Sequence, residues 1–288
     1  MDPIRAVAPP LTGRVILSQD WLRASFLHWR VPSAAVAGLF PARTRPDEFD
    51  GSTWVGLIAF QMARFRILPG PVLPYIGDFP EINVRLYTVD DDGRRGVLFR
   101  SLEASRVVTV LGARTVMNVP YQWARMSIRR SGGAIDYRST RLTGTRPSSR
   151  MVVRPLPETV HDDPLADFLT ARWGMHTVLR GRTRFVPNEH PSWPLRRASL
   201  VSLDDELLAA AGVPVSGPPD SVLYSPGVHT RFAMPAPALG TSSGSRLLPC
   251  GWTARPSTRW SAVATPSCIS ASRAEATWSR SGTTPRAA

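Results

Sequence analysis

The chain has 288 residues, a formal net charge of +13 and 35 basic residues, every one of them an arginine. With 43% hydrophobic residues and 9 tryptophans it can bury a substantial core, as one large domain or two small ones. Its apolar runs, such as residues 54–60, are far too short to cross a bilayer. Its arginines are scattered, paired only at Arg94-Arg95, Arg129-Arg130 and Arg196-Arg197, so neither a membrane nor a nucleic-acid partner is expected.

In chain order, residues 1–13 are rich in Pro and Ala and read as a loose lead-in. No apolar leader follows Met1-Asp2-Pro3, which points to the cytoplasm. Residues 17–29 carry Trp21, Leu22, Phe26, Leu27 and Trp29, all of which favour burial. Pro32-Ser33 opens a short Ala-rich helical turn through Leu39, closed by Pro41. Asp50-Gly51 marks a turn, and residues 53–62, rich in β-branched and aromatic side chains, read as a buried strand. Residues 68–80, with their prolines and glycines, read as a loop.

Residues 82–89 alternate Ile82, Val84, Leu86 and Thr88 against Asn83, Arg85, Tyr87 and Val89, the pattern of a strand. A hairpin turn at Asp90-Asp91-Asp92-Gly93 leads into a return strand over 96–102. Residues 103–117 point two ways: Val107 to Val110 favour a strand by propensity, while the spacing of Val107, Leu111, Arg114 and Asn118 suits a helix. Further strands are expected over 121–127, 134–141 and 150–155, with Ser131-Gly132-Gly133 as a turn. Asp163 can cap a helix with Pro164 in its first position and Leu165, Phe168, Leu169 and Trp173 as its apolar stripe. A second short helix is expected over 203–211, ending at Gly212. Strands outnumber helices, and hairpin links imply an antiparallel sheet.

At Gly240 the composition breaks. Residues 240–288 hold ten serines, seven threonines, six arginines, one acid (Glu275), three tryptophans and both cysteines, Cys250 and Cys268, with no apolar period. They read either as a disordered Ser/Arg-rich tail or as GC-rich codons translated out of frame, and Trp and Cys together favour the second. The expected organisation is a lead-in over 1–13, one domain over 14–239 and this tail.

The order of several unusual words identifies the chain as resembling a known family. They are Phe26-Leu27-His28-Trp29, Asp47-Glu48-Phe49-Asp50-Gly51, Phe79-Pro80-Glu81-Ile82-Asn83-Val84-Arg85, Ser101-Leu102-Glu103-Ala104, Pro120-Tyr121, His190-Pro191-Ser192-Trp193-Pro194-Leu195 and Tyr224-Ser225-Pro226-Gly227-Val228. Together they resemble the YqjF-like family of unknown function, grouped with acetoacetate decarboxylase-like proteins. The resemblance covers about the first 235 residues. It implies an α+β fold, mainly antiparallel β, in which a β-barrel or cone has helices packed outside and an internal cavity. It also favours a helix over 103–117.

The decarboxylases work through a lysine Schiff base, in a pattern Gly-Arg-Glu followed by Pro-Lys-Lys. Here Ala113-Arg114-Thr115 is followed by Pro120-Tyr121-Gln122, so Tyr121 and Gln122 stand where both lysines would be. Guanidinium stays protonated and cannot form an imine. By the same resemblance Glu81 matches a cavity glutamate and Arg114 the arginine of the Gly-Arg-Glu word.

Glu81 can act as a general base of raised pKa, or simply pair with Arg85 or Arg114. Tyr121 can polarise a carbonyl, or pack with its hydroxyl on backbone. Asn83 and Arg85 can share the cavity side with Glu81, or face solvent. His28 and His190 sit beside tryptophans and read as structural. No His, Cys, Asp or Glu spacing suits a metal, and no phosphate-binding glycine loop, dinucleotide fingerprint or Gly-x-Ser-x-Gly word occurs, so no metal or cofactor is expected.

The expected function is a small-molecule cavity, lyase-like or isomerase-like on a small carbonyl or carboxylate compound. Glu81 and Tyr121 would be catalytic, and Arg114, Arg85 and Asn83 would bind ligand. The alternative is a non-enzymatic ligand-binding or sensor module, in which Glu81 would be locked in an ion pair. Homo-oligomerisation is left open. One consequence needs no structure: borohydride reduction in the presence of a β-keto acid should leave the protein's mass unchanged, and a stable adduct on the folded domain would overturn this.

Overall fold

A computed structural model describes residues 3–75, 77–106, 118–213 and 215–234. Arg114, most of the ambiguous segment 103–117 and the compositional tail lie outside them. Twelve strands form one sheet: β1 (Val15–Val31), β2 (Thr44–Pro46), β3 (Thr53–Ile67), β4 (Phe79–Asp90), β5 (Arg95–Ala104), β6 (Tyr121–Ser131), β7 (Ala134–Arg141), β8 (Ser148–Thr159), β9 (Gly174–Leu179), β10 (Arg182–Glu189), β11 (Arg196–Asp205) and β12 (Ser221–Ala233). Among the described residues three short α-helices accompany them: α1 (Ser33–Val36), α2 (Pro164–Thr170) and α3 (Leu207–Ala210).

The sheet closes on itself twice. Strands β12, β1, β3, β4 and β5 run side by side as a common wall. From β5 one closure returns to β12 through β6, β7, β8 and β11, and the other through β9 and β10. A wall between two closed chambers must be apolar on both faces. In β3, Trp54, Ile58, Phe60 and Met62 enter one cluster and Val55, Leu57 and Ala59 the other. In β1, Ala24 and Phe26 face the first chamber, and Leu27, Trp29 and Val31 the second. The first chamber is closed by α2, Met175 of β9 and Val186 of β10. The second is closed by Ile135, Tyr137, Met151 and Val153 of β7 and β8, with Leu207 and Leu208 of α3.

The seams of these closures are short. Strand β5 meets β6 in parallel over three pairs, Leu102 with Tyr121, Glu103 with Gln122 and Ala104 with Trp123. It meets β9 at the single pair Val97 with Met175. An ion pair reinforces the first seam: Arg141 at the end of β7 reaches the fully buried Glu103 carboxylate at 2.6 Å.

Several expectations change in three dimensions. Residues Leu203–Asp205 belong to β11, so the expected 203–211 helix shrinks to α3; its carbonyls and amides are spent on β8 instead. Glu103 and Ala104 end β5 rather than begin a helix. Phe79 and Pro80 belong to β4, so the loop stops at Asp78. Helix α2 keeps its cap, with the Asp163 carboxylate accepting from the Ala166 amide at 3.0 Å, but it ends before Trp173. Strands β9 to β12 were not anticipated. Residues 3–14 form neither helix nor strand, yet the Trp173 indole donates to the Arg5 carbonyl at 2.9 Å and Ser192 to that of Ala6 at 2.8 Å.

The Glu103–Arg141 pair yields a test of this closure. Removing one member of a buried pair strands the other charge, at a typical cost of about 3–5 kcal/mol. Arg141→Ala should therefore lower the unfolding free energy by about that amount in a urea titration, whereas a change below ~1 kcal/mol would mean that the seam does not depend on it.

Candidate functional site

Strand β4 enters the first chamber with a polar row. Phe79, Glu81, Asn83, Arg85 and Tyr87 alternate with Ile82, Val84 and Leu86, which turn into the second chamber. Glu81, Asn83 and Arg85 thereby line a cavity of about 410 Å³, within the usual size range for small-molecule sites. The facing walls are mostly aromatic and aliphatic. Trp21 and Trp193 stack with centroids 5.9 Å apart, and Phe26, Phe60 and Phe232 surround them.

Glu81 is 2% exposed. The Tyr121 hydroxyl donates to its Oε2 at 2.8 Å and the Asn83 amide to its Oε1 at 3.2 Å. The register explains how residues so far apart in the chain meet. Glu81 pairs with Ala104, and Leu102 pairs with Tyr121, so β5 runs between them. The small Ala104 side chain faces this chamber and leaves room for the phenol to reach across. No guanidinium pairs with Glu81 among the described residues.

Burial raises the Glu81 pKa from 4.5 to about 7, against the opposing hydrogen bonds from Tyr121 and Asn83. Burial, and then the neighbouring Glu81, hold the Tyr121 phenol well above its usual range, so it stays a donor. Asn83 Oδ1, Trp21 Nε1 and Arg172 Nη2 are buried on this cavity's wall with no partner among the described residues.

Arg85 lies farther along the same row. Its Nη2 donates to the Leu169 carbonyl at 2.8 Å and to the Tyr87 hydroxyl at 3.0 Å. It has no carboxylate partner among the described residues. The His28 Nε2 sits 2.6 Å from the same hydroxyl, and its ring packs over Gly56, where a Cβ would come within 3.1 Å of it. Burial, then Arg85 and Arg172, depress the His28 pKa well below its usual value, so it is neutral. His190 is also neutral: burial lowers it to about 4, and its Nδ1 donates to the Pro191 carbonyl at 2.7 Å. Behind Tyr87, the fully buried Asp47 is shared by Arg95 at 2.7 Å and Arg172 at 2.5 Å.

The structure thus brings Glu81, Asn83 and Tyr121 into contact and sets Arg85 on the same wall. Sequence reasoning missed Arg172, Asp47, Tyr87 and the tryptophan pair as parts of the chamber. Only the period-two pattern of β4 could have pointed to Tyr87. No cluster of three or more His, Cys, Asp or Glu able to hold a metal occurs among the described residues. No helix among them is long and apolar enough to cross a membrane.

A profile for a family of uncharacterized conserved proteins, DUF2071, matches residues 18–229. The chain belongs to this family. It is 34% identical over 188 residues to the uncharacterized protein YqjF of Bacillus subtilis (strain 168), covering 65% of this chain and 77% of that one. Solved structures share the fold at lower identity. An acetoacetate decarboxylase-like enzyme from Sphingomonas wittichii RW1 aligns with a TM-score of 0.53 at 11% identity, over 76% of this chain and 91% of the other. The enduracididine biosynthesis enzyme MppR, complexed with the condensation product of pyruvate and imidazole 4-carboxaldehyde, aligns with a TM-score of 0.51 at 17% identity, over 77% and 87%. The fold is therefore the acetoacetate decarboxylase-like α+β architecture, with a mainly antiparallel sheet.

The Glu81 environment has a measurable signature. A buried acid of raised pKa stabilises the fold fully below its unfolded pKa, and that contribution is lost as pH rises through the folded value. Unfolding free energy should therefore fall between pH 4.5 and about 7, by about 3 kcal/mol at 1.36 kcal/mol per pKa unit. Glu81→Gln should flatten this slope. Tyr121→Phe deletes a bond that lowers the Glu81 pKa, so infrared or carbon NMR titration of the carboxyl should place its midpoint above that of the unaltered protein.

Proposed function

We propose that the cavity binds a small carbonyl or carboxylate compound and that Glu81 transfers a proton on it, in a lyase-like or isomerase-like reaction. The observation that carries this reading is the state of Glu81: buried, without a guanidinium partner among the described residues, and with a pKa of about 7. A carboxylate kept only for binding or structure is usually paired, because an unpaired buried charge is costly. A general base works best when its pKa lies near the working pH.

The reaction follows from the contacts. Ionised Glu81 takes a proton from the carbon next to the carbonyl, and the electron pair of the broken C–H bond moves onto the carbonyl oxygen. Tyr121 turns its hydroxyl from Glu81 to that oxygen and stabilises the developing charge. Because the Tyr121 bond lowers the Glu81 pKa, its departure makes Glu81 a stronger base as the ligand binds. The proton then returns at another carbon, or a leaving group departs. No imine is involved, since the chain has no lysine. The complex of the structural neighbour with a pyruvate-derived product supports the same ligand class.

A non-enzymatic binding or sensor module is the second reading, favoured by the breadth of the aromatic wall around Trp21 and Trp193. Deuterium exchange separates the two. Oxo acids with the carbonyl at positions 2 to 6 would be incubated with the protein in D2O and followed by proton NMR. Exchange next to the carbonyl should accelerate as pH rises through about 7, and Glu81→Gln should slow it by roughly 10²–10⁴-fold. Compounds that bind by native mass spectrometry yet never exchange, or exchange untouched by Glu81→Gln, would leave the binding module.

A further inference from the structure

The cavity is polarised along its length. Strands β3 and β4 pair Arg85 with Gly56, Asn83 with Ile58, Glu81 with Phe60 and Phe79 with Met62. Moving along this register, the wall passes from a guanidinium through an amide and a carboxyl to side chains that are wholly apolar. Beyond Met62, β3 continues to Phe65 and Ile67, which line the cavity with Ile16, Leu17 and Leu73. Exposure follows the same direction: Phe79 is 1% exposed, Met62 3% and Ile67 59%, so this apolar end is the rim. The opposite end is closed by Tyr87, His28 and the Leu169 carbonyl of α2.

At the closed end Arg85 and Arg172 have donors that no acceptor among the described residues takes. Asp47 is already shared by Arg95 and Arg172. Arg85 uses Nε and Nη2 on Tyr87 and Leu169, and Nη1 donates to no atom among the described residues. The nearby Arg172 Nη2 is buried with no partner among the described residues. Buried donors without acceptors are costly, and an anionic ligand group would satisfy them with charge-assisted bonds.

We propose that the cavity takes an amphipathic monocarboxylic acid, its carboxylate against Arg85 at the closed end and its apolar body running past Glu81 and Tyr121 to the Phe65–Ile67 rim. The strand sets the spacing. Arg85 and Glu81 are four residues apart, roughly 13 Å between Cα atoms at ~3.3 Å per residue. Arg85 is also tethered on the side away from Glu81, by Tyr87 and Leu169. A ligand that touches both groups must span that separation, which favours acids longer than three carbons. The reacting carbonyl therefore stands several bonds from the carboxylate. This deepens the proton-transfer reading by naming the ligand class of the same site.

Binding of straight-chain carboxylates and alcohols from two to ten carbons tests it, read by calorimetry and by the fluorescence of Trp21 and Trp193 on the full chain. Affinity should rise about fourfold per added methylene, equivalent to ~0.8 kcal/mol. Acids should bind at least tenfold tighter than alcohols of equal length. Arg85→Gln should close that gap and keep the slope with chain length, while Ile67→Asp should weaken only the longer chains. A flat slope, or no difference between acids and alcohols on the unaltered protein, overturns the proposal, as does an Arg85→Gln protein of unchanged circular dichroism that keeps the gap. If Arg85→Gln does not fold, the slope and the gap of the unaltered protein decide alone. A flat slope with exchange of short oxo acids intact removes the amphipathic ligand but not the chemistry at Glu81. The reverse result removes the chemistry and leaves the ligand.

Discussion

A sheet that closes twice through the same five strands has no wet face along its common wall, and the rest of the molecule follows from that. Strands β1, β3 and β4 supply apolar side chains to both chambers, and in β3 this gives the near-continuous hydrophobic run from Trp54 to Phe60. Any polar group on the wall must then find a partner inside or remain neutral. The row Glu81, Asn83, Arg85 and Tyr87 places polar groups on the wall of the first chamber, and its members answer the constraint in different ways. Tyr87 and Arg85 share one hydroxyl and one helix carbonyl. Glu81 answers it through a pKa lifted to about 7.

With no lysine at the start of β6, Tyr121 delivers a hydroxyl across β5 to Glu81. The pair holds its proton at a pKa set chiefly by exclusion of water, which is a property of the chamber and not of any single residue. Asp47 and Arg95 sit behind Tyr87, and Arg172, which reaches the cavity wall, packs over the Tyr87 ring, whose hydroxyl fixes Arg85. The chamber therefore holds a neutralised acid and an anchored cation at different depths.

Much of the wall was legible from residue pattern. The alternation over 82–89 and the Asp90–Gly93 turn reappear as β4 and its hairpin, and the Asp163-Pro164 cap starts a helix as written. The failures have physical causes. Strand β12 carries Pro226 and Gly227 in its middle, which argue against a strand locally, but Gly227 at φ +138° lets β12 approach the Trp21 carbonyl of β1 too closely for any Cβ. Strand β11 exposes Arg196, Arg197, Val201 and Ser202 and pairs mainly with β8, so its apolar content is too low to signal. Gly174, opening β9, has the Phe185 ring packed onto it from β10, a contact no local pattern reveals.

By itself the sequence determined that no lysine is present to form an imine, because that depends only on which functional groups exist, and the strand-rich character of the chain, because period-two alternation is local. It could name Glu81, Tyr121, Asn83 and Arg85 only as alternatives, each with a structural reading beside the functional one. The tertiary structure decided their contacts. Glu81 and Tyr121 are forty positions apart, and only the pairing of β4 and β6 with the shared strand β5 brings an acid and a phenol to 2.8 Å. The same closure excludes water from both, and desolvation, which no single residue carries, is what raises the pKa of the acid.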